Sequence, residues 1–413
     1  MKHYQQCAMI TALWLTLGTA AVAQDAPYAE NLTGDWGGAR STLADKGLEI
    51  GLSYTGDVWA VVGGGRKRET TMHGLGELRL DLDGEKLYGV KGNTMSFAVI
   101  HNSGAQPNGS NVGSTQGISN TEVAANGVRL YEAWMNQEFF DGRLAVLFGV
   151  HDLNSEFAAT PMSDNFLKPT MQIGQSFAQS GQNGPAIYPT PALAGRVRVV
   201  PTEHSYIAAA VYDGVAGDPD HPRTNPIDLG DKDGALVVAE VGYAPTEANK
   251  LALGYWEYTA GLDDQLAVDG FGDAVQSDAY GAYLLASYRF YEDAASGRSA
   301  GAFWRGGLAD GDTAQVKWEY TAGVVGNGWI AARPAGEFGL GISHARNSDS
   351  YMAAQAAAAT ASDRNEYSYE LYYRDTIARG VNIQPDIQYV VNPGTDVVTD
   401  NATVIGLRVD VSF

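Results

Sequence analysis

Polar side chains separated by two or four residues, with apolar residues between them, recur along this chain. Glu77, Arg79 and Asp81 form one such file, and Arg196 with Arg198 another. Lys317 with Glu319, Glu370 with Arg374, the trio Gln384, Asp386 and Gln388, and Arg408 with Asp410 repeat the pattern. Mixed donors and acceptors on one side of an extended chain suit reversible hydrogen bonding to a polyhydroxylated solute. They offer many weak contacts and a strong transverse field, without a grip that would slow release. Any single file would serve equally well as a salt-bridge ladder that stiffens a wall.

Catalytic chemistry finds little support. The histidines beyond the first residues (His73, His101, His151, His204, His221 and His344) fall on separate predicted elements, with no His-Glu-x-x-His pair and no cysteine near them. No phosphate-binding glycine loop occurs. Gly174-Gln-Ser-Phe-Ala178 lacks the last glycine of a nucleophile elbow. Asp228, Asp231 and Asp233 are not spaced as a calcium loop. We therefore expect no catalytic residue, metal or cofactor.

The elements that carry these files are strands. From Tyr367 to Arg374, from Val381 to Tyr389 and from Thr403 to the terminal Phe413, apolar and polar residues alternate almost without error, the two-residue period of an extended chain. One face is oily and the other strongly hydrated. A soluble sandwich would turn the hydrated face outward; an outer-membrane barrel inverts this, with lipid on the oily side and a watery lumen within.

Composition favours the inverted arrangement. Hydrophobic residues are 45% of the 413 and charged residues only 18%, yet no stretch after the N-terminus is apolar for long enough to form a spanning helix. Lys2 followed by an apolar run from Ala8 to Val22 and small residues near Ala23 reads as an export leader over 1–23. The single Cys7 lies inside it, which excludes a disulfide scaffold. A net charge of −21 argues against nucleic-acid partners.

After a short helical segment from Asp35 to Lys46, with Asp35 as the expected N-cap and Gly47 as the stop, strand-like stretches recur to the end, about sixteen in all. The even number puts both ends on one side. Connections then alternate between short turns and long loops, such as 103–126, 151–193, 213–234, 260–277 and 346–365, the asymmetry of a bacterial barrel with its long loops outside. The fold class is thus all-β, a transmembrane antiparallel barrel of residues 48–413 preceded by a periplasmic segment, 24–47. So large a barrel leaves an aqueous bore. In the longest connection, Phe157, Phe166, Phe177 and Tyr188 could anchor the loop against the inner wall, while Asn154, Glu156, Asp164 and Lys168 face the passage. Outward Trp318, Tyr367, Tyr373 and Tyr389 fit an interfacial girdle.

Five segments carry a family resemblance: Leu32-Thr-Gly-Asp-Trp-Gly-Gly-Ala-Arg40, Glu132-Ala-Trp-Met-Asn-Gln137 followed by Asp141-Gly-Arg-Leu144, Arg196-Val-Arg-Val-Val-Pro-Thr202, Ala208-Ala-Ala-Val-Tyr-Asp-Gly214 and Gln384-Pro-Asp-Ile-Gln-Tyr-Val-Val-Asn-Pro-Gly394. They resemble the carbohydrate-selective porins of the OprB type, in the same order and over nearly all the chain after the leader. The resemblance implies a sixteen-stranded outer-membrane barrel that passes monosaccharides by diffusion, with the third outer loop folded inward. It also implies that Phe413 belongs to the signal read by the barrel-assembly machinery. Departures cluster in the outer loops, especially 213–234 and the Ala-rich 353–361. A barrel enzyme, a general or cation-preferring channel and a secreted soluble β protein are the competing readings.

Overall fold

The computed structural model describes residues 28–413 apart from 220, 222–226, 228–229 and 231–232. The leader and most of the Asp228–Asp233 cluster lie outside the described residues. Sixteen strands close into one antiparallel barrel. In chain order they begin with β1 (Leu48–Gly63), β2 (Thr70–Asp83), β3 (Asn93–Gly104), β4 (Gly127–Phe139), β5 (Leu144–His151), β6 (Ala192–Thr202), β7 (Ser205–Asp213), β8 (Ala235–Tyr243) and β9 (Lys250–Tyr258). A separate hairpin, β10 (Leu262–Val268) and β11 (Ala274–Ser277), stands in the loop that follows. The barrel resumes with β12 (Tyr280–Asp293), β13 (Arg298–Ala309), β14 (Val316–Asn327), β15 (Glu337–Asn347), β16 (Asn365–Ala378), β17 (Val381–Val391) and β18 (Ala402–Ser412). Each strand pairs with its neighbours in sequence, β12 pairs with β9, and β18 returns to β1.

The alternation places the two faces. On β16 to β18 the exposed positions are Tyr369, Leu371, Ile387, Tyr389, Ile405 and Leu407, and the buried ones are Glu370, Gln384, Asp386, Gln388, Arg408 and Asp410. Oil outside and polarity inside is the arrangement of a barrel wrapped by hydrocarbon. Closure is register-locked: Tyr54 faces Val411, Val58 faces Leu407 and Ala60 faces Ile405 along the β1–β18 seam, so the oily set stays on one side throughout.

The N-terminal segment fastens that seam at the short-turn end. Its regular helix runs Ala39–Asp45, preceded by a short 3-10 turn over Trp36–Gly38. Asp35 does not cap in the expected manner; its carboxylate accepts from Ser41 N at 2.8 Å instead, and Gly38 occupies the N-cap of the helix. Gly47, at φ +93°, ends it as expected, because a Cβ there would strike the Asp83 carbonyl at 2.8 Å. Arg40 is buried and donates to the Phe413 carbonyl at 2.7 Å and to Ile50 O at 2.7 Å, joining the last residue to the first strand.

Several elements were not legible in the sequence, among them the short helix Gly84–Tyr88 in a stretch expected as a turn. The β10–β11 hairpin is short and largely exposed, so no periodicity marks it. The helix Asp349–Ala357 lies in the loop expected over 346–365; Ser348 caps it by accepting from Tyr351 N at 3.1 Å.

Candidate functional site

The long connection between β5 and β6, residues 152–191, packs against the inner face of the barrel. Its backbone forms only short helical turns, at Leu153–Ser155, Pro161–Ser163, Pro169–Gln172 and Gln175–Ala178. What holds it is side-chain packing on one half of the wall. Leu153, Phe157, Ile173 and Phe177 share a core with inward Ala208, Ala210, Tyr212, Leu236, Val238, Trp256, Tyr283 and Leu285. Phe177 stacks on Trp256 with ring centroids 4.9 Å apart and planes within 3°. Phe166 meets Phe303 and Tyr372 edge-on at 5.4 and 4.9 Å. Inward glycines make room for this approach: a Cβ on Gly341 would lie 2.6 Å from the Phe166 ring.

Across the barrel the same loop is held by its main chain. Glu370 accepts from Leu167 N at 2.5 Å and Lys168 N at 3.1 Å. Gln384 donates to Asn165 O at 2.6 Å, and Asn165 donates to Glu337 at 2.7 Å. On the apolar side too the main chain is held: buried Arg305 donates to Gln172 O at 2.9 Å, and Ala158 N donates to Glu240 at 3.0 Å and to the Tyr283 hydroxyl at 3.1 Å.

A second segment, 114–121 of the preceding outer loop, joins it. Ser114 and Thr115 donate to Glu366 at 2.6 and 2.9 Å, and Gln388 donates to Ile118 O at 2.8 Å. Asp57 receives both Ser119 and Thr121 hydroxyls at 2.9 Å and a two-pronged Arg408 at 2.7 Å. The sequence carries a signal for this burial. Residues 104–121 contain no charged side chain in a chain rich in acids, as a segment destined for burial requires.

The expected lining residues therefore divide. Glu370, Gln384, Asp386, Gln388 and Arg408 point inward but are buried; all except Asp386 bond loop backbone or side chains rather than facing open lumen. Lys168, expected to face the passage, is fully buried, with Nζ donating to Gly117 O. Burial lowers its pKa to about 8 although Glu366, Glu370 and Asp386 lie near it. The cause of both corrections is the same: the loops occupy the space that the strand pattern alone leaves to water.

Most of the remainder are ion-paired groups, partly reached by solvent at Glu77, Arg79, Arg198 and Arg374, while Arg196, Glu319 and Asp410 are buried. Arg79 bridges Glu77 at 2.8 Å and Glu132 at 2.6 Å, and Asp81 accepts from Ser96 at 2.7 Å. Arg374 pairs with Asp410, which also accepts from Thr55 at 2.7 Å. On the loop, burial would raise Glu156, but Arg196 at 2.6 Å, with His151 and Arg198 nearby, holds it below the ordinary glutamate range. Arg198 lies over the Tyr206 ring at 4.1 Å. Asn154 turns its amide to Phe157 O at 3.1 Å, and Asp164 is exposed.

One constellation could be mistaken for a hydrolase. His73 Nε2 lies 3.0 Å from Ser119 Oγ and 3.2 Å from Asp57 Oδ2. One ring nitrogen faces both partners, while Nδ1 has none. A relay needs the acid on the nitrogen opposite the hydroxyl. Ser119 donates to Asp57 directly and is buried, so it is a strut.

A family model described as "Carbohydrate-selective porin, OprB family" matches residues 68–413. Porin B of Pseudomonas aeruginosa is 27% identical over 438 residues, covering 97% of this chain and 95% of that one. A putative porin, QuiX, of Acinetobacter baylyi is 22% identical over the full length of both. The high-pH structure of Pseudomonas putida OprB superposes with a TM-score of 0.83 at 23% identity, covering 93% of this chain and 99% of that one.

Proposed function

Since this chain belongs to the OprB family of carbohydrate-selective porins, we propose that its outer-membrane channel admits monosaccharides such as glucose past an eyelet between the loop 152–191 and the strand wall. It is a Gram-negative outer-membrane carbohydrate porin and not an enzyme. The observation that supports the finer reading is the set of inward ion pairs that solvent still reaches on at least one partner, Arg79 with Glu77, Arg374 with buried Asp410 and buried Arg196 with Glu156, beside Asn154 and Asp164. Each guanidinium keeps further N–H donors and each carboxylate further lone pairs, so a sugar hydroxyl can add to the pair without breaking it. Phe157 and Phe166 hold the eyelet's loop rather than touch the solute.

In this reading residues 1–23 are an export leader, 24–47 a periplasmic segment, and Phe413 part of the signal for the barrel-assembly machinery. The surrounding partners are membrane lipids, and no cofactor takes part. The test is entry of glucose into liposomes holding the purified protein, beside a disaccharide and a general porin as comparator. Glucose entry with slower disaccharide entry is expected; exclusion of glucose where the general porin admits it would overturn the proposal.

A second reading concerns ions. The net charge of −21, with Glu49 and Asp164 exposed and Glu77 and Asp81 half-buried on the inner side, favours cation passage when no sugar occupies the eyelet. A reversal potential of the anion-selective sign in a salt gradient would exclude it.

A further inference from the structure

The outward face of the strands is almost wholly apolar, which makes one place on it stand out. At the long-loop end of β14 to β16, His344 lies within a group of rings: Tyr367 at 4.6 Å, Trp318 at 4.7 Å and Tyr320 at 5.1 Å between centroids. All four belong to the outward set, since Trp318 faces Leu308 across the ladder and His344 faces both Tyr320 and Tyr367. His344 is only 2% exposed, donates or accepts through Nε2 with Asn365 at 3.1 Å, and has no partner at Nδ1.

Two cations flank this plate. Arg346 follows His344 on the same face and stands opposite both Trp318 and Asn365. Lys317 is exposed at the irregularity between Val316 and Trp318. Neither makes a hydrogen bond or ion pair among the described residues. Asp349, the acid that feels both, is bonded to Arg364. In a chain of net charge −21, two unpartnered cations beside exposed Trp318 and half-buried Tyr367 at the outward rim form a local field opposite to that of the whole molecule.

We propose that this patch binds the phosphorylated sugar headgroup of an outer-leaflet glycolipid. Arg346 and Lys317 take the phosphate, the first with the planar fork that suits its oxygens. Trp318 and Tyr367 present ring faces to the sugar, and the acyl chains lie along Leu308, Leu340 and Tyr369, which are exposed on the same side. A phosphoglyceride would satisfy the cations but leave the rings without a saccharide. The glycolipid uses both.

Native mass spectrometry of the detergent-purified, folded porin tests this, with a bis-phosphorylated acylated diglucosamine, its dephosphorylated form and phosphatidylglycerol as probes. The wild type should retain the bis-phosphorylated lipid about tenfold better than either comparator, the factor expected for one lost charge-assisted contact. Lys317→Ala with Arg346→Ala should remove that preference, Trp318→Leu with Tyr367→Leu should abolish discrimination against phosphatidylglycerol alone, and Arg346→Lys should keep part of it. Equal retention of all three lipids by the wild type, or an unchanged preference in the double alanine variant, would overturn the proposal. Should a variant not fold, as read from heat-dependent migration on a gel, the wild-type comparison of phosphorylated and dephosphorylated lipid decides alone.

Discussion

Along β6 to β9 and β12 most buried inward positions are apolar, among them Ala208, Ala210, Tyr212, Leu236, Val238, Trp256 and Leu285, with Arg196 and Glu240 as charged exceptions, while along β16 to β18 and β1 polar ones such as Glu366, Glu370, Gln384, Gln388, Arg408 and Asp57 are more frequent. Both halves of the wall hold the loop 152–191. The first does so mainly through the loop's side chains, by shape and removal of apolar area from water, with Glu240 and Tyr283 taking one peptide N–H; the second does so mainly through the loop's main chain, by supplying acceptors and donors to peptide groups that burial would otherwise orphan. The difference teaches how a water-filled barrel can carry an ordered obstruction. An apolar side fixes how deeply the loop sits, and a polar side fixes its register, because each peptide group has one matching hook.

The comparison is broken most severely on the apolar half. Phe177→Ala removes the ring stacked on Trp256 and leaves a cavity against Leu285 and Tyr283, a loss of about 3–5 kcal/mol. The barrel ladder is untouched, so the cost falls on loop docking. Single-channel recordings should show a larger and noisier conductance, and liposomes should admit a disaccharide that the wild type retards. An unchanged conductance would mean that the apolar half contributes no hold on the loop.

On the polar half, Glu370→Ala leaves Leu167 N and Lys168 N without acceptors, about 2–4 kcal/mol for two charge-assisted bonds in a buried place. Conductance should rise less than in Phe177→Ala, with more discrete switching between levels, since depth is retained and register lost. If both variants gave the same recording, the proposed division of labour would fail.

Protonation offers a gentler probe. Burial lowers Lys168 to about 8, with Glu366, Glu370 and Asp386 partly offsetting it. A released loop would keep that proton into the ordinary ammonium range. Between about pH 8 and that range the docked loop binds fewer protons than the released one, so docking strengthens as pH rises, by at most roughly 1.4 kcal/mol per unit. Below about pH 8 both states are protonated and the dependence vanishes. Loop-opening events should thus become rarer from pH 8 to 9.5, and Lys168→Met should flatten the slope; events that grow commoner in the wild type would refute the sign.

Sequence periodicity revealed the polar half well and the apolar half poorly, for a physical reason. On β17 and β18 the faces differ in polarity, and alternation exposes them. On β7, Tyr206-Ile-Ala-Ala-Ala-Val-Tyr212 is apolar on both faces, so the pattern marks a strand without telling lipid from loop. The anchoring aromatics of 152–191 were legible as a group. Lys168 was not, because a lysine in a loop reads as solvated unless one knows that Gly117 O and the acids Glu366, Glu370 and Asp386 converge on it. Inward glycines such as Gly341 under Phe166 carried the missing signal, visible only once the wall was built.

The smallest expected effect lies where neither half touches the loop. Arg79 is joined to Glu77 and Glu132 and still reached by solvent, so Arg79→Gln removes a charge without loosening the obstruction. Two carboxylates are then left facing one another. Conductance at high salt should stay near the wild-type level, while cation preference rises and the sugar concentration that half-blocks ion current increases about threefold to tenfold, the range of one hydrogen bond of about 1 kcal/mol. Arg79→Lys keeps the charge but not the fork, and should recover ion preference without sugar affinity. Recovery of both by lysine would mean that charge alone matters at this position, and the eyelet would select by field rather than by hydrogen bonding.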